Sequence, residues 1–191
     1  MINELVNLIN VYTKLNDAEI QKLEGSIVKK HFKKNEIIFA EGRISEEIYL
    51  VSKGCVRLYY NADGNDKTAF FYLEGQFICA GESYTFNVPA KENYQAVEDS
   101  DVFVLTKKGI EELLAFSSKF EVLARIATEN ELITCQRIIA SFVMQSAEER
   151  YLDLLKNNKS LFQRVPQQHI ATYLGVSPET LSRIKKRVLK D

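Results

Sequence analysis

One face of a C-terminal helical segment carries polar and basic side chains whose chemistry suits a nucleic acid. These side chains recur at helical spacing and are Glu179, Ser182, Arg183, Lys186 and Arg187. A DNA major groove admits a helix of this kind, with its N-terminal side chains at base edges and its basic side chains near phosphates. The spacing therefore predicts a DNA-reading helix at this end of the chain.

The residues around this face have the layout of a helix-turn-helix. Gly175 falls between the two predicted helices, where a tight turn needs a positive φ that glycine adopts without steric cost. Ser177 is a candidate N-cap, and Pro178 occupies the first helical position, where its missing N–H does no harm. The apolar residues of the inner faces are Ile170, Ala171 and Leu174 in the first helix and Leu181, Ile184 and Val188 in the second.

Charge is distributed unevenly along the chain. Residues 151–191 contain eight Lys or Arg and three Asp or Glu, a net charge of +5, and because the whole chain carries −1, residues 1–150 carry −6. A basic module on an acidic body favours a polyanionic partner. A merely solvated basic helix would give the same counts, so the charge supports DNA only together with the helix-turn-helix pattern.

The composition is that of an ordinary soluble protein, with 46% hydrophobic and 27% charged residues over 191 positions. This length suits one large domain or two small ones. No apolar run approaches the roughly 18–20 residues of a membrane span, and the N-terminal residues lack the features of a signal peptide. We therefore expect a cytoplasmic protein without a membrane partner.

Few residues are available for metal, redox or catalytic chemistry. The cysteines Cys55, Cys79 and Cys135 lie far apart without C-x-x-C spacing, and the histidines are His31 and His169. This pattern argues against a disulfide framework, a metal site and an iron–sulfur cluster. The sequence also has no P-loop, G-x-S-x-G or H-E-x-x-H motif, so we predict that the protein is not an enzyme.

The first part of the chain predicts two short helices followed by a β-rich domain. Residues 3–12 and about 16–23 have helical patterns, the second opened by Asn16 and Glu19. Strand-like runs separated by turn residues follow at 31–32, 36–40, 47–51, 56–60, 68–73, 77–79, 94–97 and 102–105. This spacing favours an antiparallel sandwich or barrel. Asp63-Gly64 predicts a tight hairpin within it.

Helical periodicity returns near residue 107, and a long helix is predicted at about 118–144. One apolar seam comprises Leu123, Ile126, Ile133 and Ala140, and a second flank comprises Leu132, Cys135, Ile139 and Val143. Two apolar flanks predict two packing partners, the barrel and the same helix of a second chain, which makes a homodimer. A single wide core face is the alternative, and Asn130 and Arg137 within the seam would weaken a zipper.

Two sets of residues resemble the Crp/Fnr regulators. The run from Ile170 to Lys185 is similar to the helix-turn-helix of that family, whose recognition helix typically reads S-x-E-T-[VL]-S/G-R. The matching residues are Ser177, Glu179, Thr180, Leu181, Ser182 and Arg183. The second set resembles the first half of a cyclic-nucleotide-binding β-roll and comprises Ile37, Gly42, residues 48–54, Val56 and Arg57.

The resemblance implies an α+β fold in which an antiparallel β-roll, or jelly roll, carries a long dimerisation helix and precedes a small all-α helix-turn-helix domain. Ser146 and Glu149 form a predicted capping box. We therefore expect a sensor-like domain at 1–145 and a DNA-binding domain at 146–191. The family's β-hairpin wing has no counterpart before Asp191, so the wing is either dispensable or missing from a truncated sequence.

The resemblance also implies a dimeric transcriptional regulator that binds double-stranded DNA and acts with RNA polymerase. Glu179 and Arg183 would reach base edges, and Pro178 stands where the family often places a further base-reading residue, so that contact would be lost. The side chains expected at phosphates are Gln168, Ser177, Thr180 and Lys186.

A phosphate cassette is expected in the β-roll, but one cation of the family pattern is missing. The sequence keeps the Gly-Glu pair as Gly81 and Glu82, whereas Asn93 and Tyr94 replace the expected Arg-Ser or Arg-Thr. A buried phosphate without a guanidinium loses a charge-assisted bidentate contact, for which a flexible lysine is a poor substitute. We therefore expect no cofactor and no tight binding of cyclic AMP.

Two alternative functions remain open. A nucleotide or another small anion could switch the regulator from a pocket comprising Gly81, Glu82, Lys91, Asn93, Tyr94 and Gln136. Alternatively, the helix-turn-helix could have lost DNA binding and serve as a protein-interaction module. An electrophoretic shift assay with DNA separates this second alternative from the leading hypothesis.

Overall fold

The computed structural model describes residues 2–188. Leu189, Lys190 and Asp191, which belong to the predicted basic segment, lie outside the described residues. In the described part, the chain consists mainly of two N-terminal helices, an eight-stranded β-roll, a long helix and a C-terminal group of short helices. This arrangement confirms the predicted α+β class.

The two N-terminal helices are α1 (Ile2–Ile9) and α2 (Asp17–Ser26). The predicted capping box opens α2: the Glu19 amide donates to the Asn16 side chain, and the Asn16 amide donates to the Glu19 carboxylate. Helix α2 runs three residues beyond its predicted end, and the first strand follows it directly.

Two four-stranded antiparallel sheets form the β-roll, with strand orders β1-β8-β3-β6 and β2-β7-β4-β5. The strands are β1 (Ile27–Phe32), β2 (Ile37–Phe39), β3 (Glu47–Lys53), β4 (Val56–Ala62), β5 (Asn65–Tyr72), β6 (Phe77–Ile78), β7 (Asn93–Ala96) and β8 (Ser100–Thr106). Every predicted strand run overlaps one of them. Strand β1 begins four residues earlier than predicted, because Ile27 and Val28 pair with Leu105 and Val104 of β8.

Aliphatic and aromatic side chains from both sheets fill the space between them. Val51 and Val102 from one sheet meet Val56 and Tyr94 from the other in a single buried cluster. Tyr94 is only 2% exposed, and its hydroxyl donates to the Cys79 carbonyl at 2.9 Å. This bond satisfies a polar atom that burial would otherwise leave unpaired.

Glycine-containing turns fix two of the strand connections. Asp63 and Gly64 join β4 to β5 with φ values of 54° and 75°, the paired positive values of a type I′ turn, as predicted. Gly54 joins β3 to β4 with a φ of 103°, and a Cβ at this position would lie 2.2 Å from Ser100 Oγ. The β3–β4 turn therefore has no room for a side chain.

Two short helices were not predicted, α3 (Gly81–Phe86) and α7 (Leu161–Arg164). Neither begins with a side-chain N-cap hydrogen bond, so the signal that marks a helix start in a sequence is absent from both. Helix α3 ends at Asn87, which adopts the left-handed conformation with a φ of 56°. Both helices are too short to show an amphipathic period.

Helix α4 (Lys107–Phe116) leads into α5 (Ser118–Met144), whose bounds match the predicted long helix. Within the first predicted seam, Leu123 is buried and Ile126 is half-buried, whereas Ile133 and Ala140 are exposed. All four residues of the second flank, Leu132, Cys135, Ile139 and Val143, are exposed. The β-roll of the same chain therefore covers only part of the apolar surface of α5.

The C-terminal helices are α6 (Ala147–Asn157), α7, α8 (Gln167–Tyr173) and α9 (Pro178–Val188). The predicted capping box at Ser146 and Glu149 opens α6. The apolar core of these helices also includes Cys55, Phe71 and Val97 of the β-roll. The boundary predicted between residues 145 and 146 falls between α5 and α6, and the division into two domains stays a prediction.

We predict that Gly54→Ala destabilises the protein much more than Gly42→Ala. Both glycines have a positive φ, 103° and 81°, so each substitution introduces roughly 1–2 kcal/mol of backbone strain. Only at Gly54 would the new Cβ also lie 2.7 Å from the Ser100 Cα, whereas the space around Gly42 is open. This collision should add roughly 1–3 kcal/mol, measurable by urea unfolding. Equal losses would contradict the steric account of the β3–β4 turn.

Candidate nucleic-acid interface

The turn between α8 and α9 has the backbone conformation that its glycine predicts. Gly175 has a φ of 70°, and its amide donates to the Thr172 carbonyl at 3.0 Å. The next amide, of Val176, donates to the Ala171 carbonyl at 3.0 Å, which completes a glycine-terminated helix end. A Cβ on Gly175 would lie 2.7 Å from a ring carbon of Phe142. The turn therefore packs closely against the end of α5.

The start of α9 has the predicted serine cap. Ser177 Oγ accepts a hydrogen bond from the Thr180 amide at 3.2 Å and lies 3.3 Å from the Thr180 hydroxyl. Pro178 occupies the first helical position. A side-chain hydrogen bond from Ser177 holds the pKa of Glu179 below its usual value, so this carboxylate is ionised at neutral pH.

Helix α9 divides into a buried and an exposed face. Leu181 and Ile184 are buried in the C-terminal core, as predicted. Glu179, Arg183 and Lys186, which we call the reading face, are exposed. Arg183 Nη2 donates to Thr180 Oγ1 at 3.0 Å, and this bond orients the guanidinium along the helix before any partner binds.

Some of the other predicted contact residues are exposed, and one forms an ion pair within the chain. Gln168 on α8 and Ser177 at the cap are exposed, and Thr180 is half-buried. Arg187, the last residue of the predicted polar face, pairs with Glu148 of α6 at 2.8 Å. These placements agree with phosphate contacts at Gln168, Ser177 and Lys186, but the assigned roles stay predictions.

Arg150 of α6 holds the helix-turn-helix against α5, a role that the sequence did not reveal. Its Nη2 donates to the Leu174 carbonyl at 2.9 Å, and its Nη1 donates to the Gln145 carbonyl at 2.7 Å. The guanidinium lies over the Phe142 ring, 4.4 Å from the centroid. A cation at the carbonyl end of α8 is also favourable for the helix dipole.

The β-roll forms a second support for the helix-turn-helix. The Thr68 amide of β5 donates to Thr172 Oγ1 of α8 at 3.2 Å. The rings of Phe71 and Tyr173 lie with their centroids 5.1 Å apart across the same contact. Hydrogen-bonded and aromatic contacts of this kind give the packing of α8 on β5 a defined orientation, which apolar burial alone would not.

The positive charge of Arg164 is paired with carboxylates inside the molecule. Its Nη2 lies 2.7 Å from a Glu74 oxygen and 2.6 Å from a Glu98 oxygen, both on β-roll loops. Glu74 also accepts a hydrogen bond from the Gly54 amide at 2.9 Å. The net charge of the segment is therefore larger than the charge that it presents to an external polyanion.

The structure brings together only part of the predicted effector set. Glu82 and Lys91 form an exposed ion pair at 3.0 Å. Asn93 is buried and its side chain donates to the Glu41 carboxylate at 3.0 Å, and Tyr94 lies in the β-roll core. Gln136 is exposed on α5, and Gly81 is exposed at the start of α3. The position of the missing arginine is thus occupied by side chains that bond to the protein itself.

A cavity of about 340 Å³ lies between α1, the β-roll and α5. Leu8, Phe70 and Leu123 line its apolar part, and Glu131 and Arg137 line its polar part. The Tyr72 hydroxyl donates to the Glu131 carboxylate at 3.0 Å, and burial raises the pKa of Glu131. No local sequence pattern indicates this cavity, because its walls come from distant segments of the chain.

The described residues offer no site for metal chemistry. Within 2–188, no group of His, Cys, Asp and Glu side chains is arranged to hold a metal ion. Cys55, Cys79 and Cys135 are free thiols, and burial raises the pKa of the first two to about 12. Over the same residues, no helix combines the length and apolar character that crossing a membrane requires.

Sequence comparisons connect this chain with known regulators. The family model of the cyclic nucleotide-binding domain matches residues 29–116. The anaerobic regulatory protein of Pasteurella multocida is 24% identical over 189 residues, which cover 92% of this chain and 68% of that protein. The nitrogen fixation regulation protein FixK of Azorhizobium caulinodans is 27% identical over 162 residues, 80% of this chain and 65% of that protein. The chain thus spans about two thirds of these relatives' length.

Solved structures with the same fold support the same grouping. FixK2 from Bradyrhizobium japonicum superimposes with a TM-score of 0.73 at 22% identity, covering 86% of this chain and 85% of that one. A regulator of the crp/fnr family from Eubacterium rectale also superimposes with a TM-score of 0.73, at 17% identity, covering 95% of this chain and 87% of that one. The β-roll, the long helix and the helix-turn-helix follow one another in the same order along this chain, so the protein has the fold of the Crp/Fnr regulators and resembles regulators of that type in sequence.

Proposed function

We propose that this protein is a cytoplasmic homodimer that binds specific double-stranded DNA and regulates transcription without cyclic AMP. The observation that carries the proposal is the reading face of α9. Glu179, Arg183 and Lys186 are exposed on a helix whose opposite side is buried. An exposed, N-terminally capped helix of this kind fits the major groove.

We assign base recognition to Glu179 and Arg183, the two residues of the reading face nearest the start of α9. A guanidinium can donate two hydrogen bonds to the O6 and N7 atoms of guanine, and a carboxylate can accept from the N4 amino group of cytosine. Arg183 and Glu179 lie one helical turn apart, so they would contact neighbouring base pairs. We assign phosphate contacts to Gln168, Ser177, Thr180 and Lys186. RNA polymerase is the protein partner that the similarity to transcriptional regulators supports.

Dimerisation would use the uncovered flank of α5. Leu132, Ile139 and Val143 lie on one side of this helix, and Ile139 is 64% exposed. Apolar side chains in such a row are costly in water, and the same row on a second copy is a matching partner. A two-fold dimer presents two α9 helices and therefore calls for a near-palindromic site with half-sites about one helical turn apart.

Independence from cyclic AMP rests on the contacts of the replaced cassette residues. Asn93 is neutral and bonded to Glu41, Tyr94 is bonded to the Cys79 carbonyl, and the ammonium of Lys91 pairs with Glu82. A cyclic phosphate would find no free guanidinium among these residues. The energetic loss of an unpaired buried phosphate opposes binding.

We predict that Arg183→Ala and Lys186→Ala weaken DNA binding in different ways. Arg183→Ala should weaken the free energy of binding to the preferred duplex by ~1–3 kcal/mol and relax base choice at one position of each half-site. The second should weaken all duplexes alike and flatten the salt dependence, because one phosphate contact is lost. Fluorescence anisotropy with selected duplexes, their single-base variants and several salt concentrations measures both. Identical profiles for the two variants would contradict the assignment of roles.

We predict that Ile139→Glu converts the dimer to a monomer, because a carboxylate on the α5 flank would face its own copy across the two-fold axis. Val28→Glu is the matched control, since Val28 is 60% exposed but lies on β1, on a different element. Sedimentation equilibrium over a range of protein concentrations measures both variants. A monomeric wild-type protein, or a dimer that tolerates the Ile139 change, would contradict the proposed interface.

We predict that isothermal titration calorimetry of the dimer with cyclic AMP detects no binding at micromolar concentrations. The physical reason is the absence of a free cation at the position of Asn93. The double substitution Asn93→Arg and Tyr94→Ser restores the family residues and tests whether any weak binding responds to them. Stoichiometric micromolar binding by the wild-type protein would overturn the claim of cyclic AMP independence.

A further inference from the structure

A charged side chain of the β-roll is buried in the contact with the helix-turn-helix. Arg57 of β4 is only 3% exposed. Its Nε donates to Gln95 at 2.8 Å, and its Nη2 donates to Asp66 at 2.6 Å. Its Nη1 lies 3.2 Å from Thr68 Oγ1 and 2.9 Å from Nδ1 of His169 on α8. The guanidinium thus joins two strands of the β-roll to the first helix of the helix-turn-helix.

The contact between Arg57 and His169 determines the protonation state of the imidazole. A guanidinium has only N–H donors, so His169 Nδ1 must be the acceptor. The imidazole is therefore neutral, with its proton on Nε2. Protonation at Nδ1 would remove this hydrogen bond and place a second cation 2.9 Å from the guanidinium.

The surroundings of His169 do not compensate a second positive charge. The imidazole is buried, and the charged groups that act on it are Arg57 and Asp66, whose carboxylate lies 3.9 Å from Nδ1. Asp66 is already bonded to Arg57. Arg150, a further cation near α8, contacts the Leu174 carbonyl at the far end of that helix. Burial, followed by repulsion from Arg57, lowers the pKa of His169.

This contact leaves the DNA-binding surface free. Gln168, the neighbour of His169 on α8, is exposed, as are the three residues of the reading face. Thr172, one turn after His169, receives the hydrogen bond from the Thr68 amide. The contacts therefore attach the helix-turn-helix to the β-roll through α8 and leave the reading face of α9 exposed to solvent.

We propose that Arg57 is a positioning residue for DNA recognition, which fixes α8 on the β-roll through neutral His169, and that proton uptake by His169 releases the helix-turn-helix. This inference rests on the proposed dimeric DNA-binding function. In a dimer, α8 fixed to each β-roll also fixes the distance between the two α9 helices. Fixed spacing raises the effective concentration of the second α9 helix at its half-site. A helix-turn-helix released from the β-roll has a lower effective concentration there.

The sign of the pH dependence follows from the lowered pKa. The docked state prefers neutral His169, so its stability is fully present above the ordinary histidine pKa of about 6.5. As the pH falls from about 6.5 toward the lowered value, the released state binds the proton more readily and docking weakens. The preference for DNA with two half-sites over DNA with one should decrease over the same interval.

The test uses the full chain and two duplexes, one with both half-sites obtained by selection and one with a single half-site. The ratio of the two affinities is measured at pH 7.5 and pH 5.5 at one salt concentration. For the wild type, we expect the ratio to fall by up to ~tenfold, because at pH 5.5 a released imidazole with the ordinary pKa of about 6.5 is roughly ten times more often protonated than neutral. His169→Gln keeps an acceptor oxygen for Arg57 and cannot be protonated, so its ratio should change less than about twofold under the same linkage.

A second readout measures docking without DNA. The Thr68 amide is bonded across the contact to Thr172, so its hydrogen exchange, corrected for the intrinsic rate at each pH, reports release of α8. Protection should fall at pH 5.5 in the wild type and persist in His169→Gln. His169→Phe, which removes the acceptor without disturbing the strand contacts of Arg57, should be less protected at both pH values.

The outcomes separate this inference from the proposed function. A wild type that binds no selected duplex would refute DNA binding, while the exchange of Thr68 would still test docking. Two results would overturn the inference itself. One is a wild type whose affinity ratio and Thr68 protection are the same at both pH values. The other is a His169→Gln variant that changes with pH as much as the wild type.

Discussion

The helix-turn-helix and the β-roll share one buried apolar cluster, and the orientation of α9 depends on that contact. Phe71 and Val97 of the β-roll lie in the same cluster as Ile170 and Leu181. Apolar burial supplies the main stabilisation of such a contact but has no direction. The hydrogen bonds of Arg57, Thr68 and Arg150 to α8 add the direction, and together they determine where the reading face points.

Helices α5 and α9 each bury one face and expose another. Helix α9 buries Leu181 and Ile184 and exposes Arg183, whose guanidinium is already oriented by Thr180. Helix α5 buries Leu123 against the β-roll and exposes Ile139. The exposed face of α9 is polar and charged, which suits DNA, whereas that of α5 is apolar, which suits a second copy. The proposed dimeric regulator follows from this difference.

Local signals in the sequence were sufficient for the elements but not for the contacts between them. The capping boxes at Asn16 and Ser146, the Asp63-Gly64 turn and the Gly175 turn each depend on residues within a few positions, and each prediction is confirmed. Arg57 and His169 are 112 positions apart, so no local pattern relates them. Burial of Tyr94 and Asn93 likewise depends on how the two sheets close over them, which strand periodicity alone does not specify.

The most direct test of the account is selection of duplexes from a random pool by the full-length protein, followed by sequencing at a stated salt concentration. A dimer that presents two α9 helices predicts enrichment of a near-palindrome whose half-site centres lie about 10 base pairs apart, with a guanine at the position that Arg183 reads. Recovery of no enriched sequence, or of a motif without two-fold symmetry, would contradict the central claim.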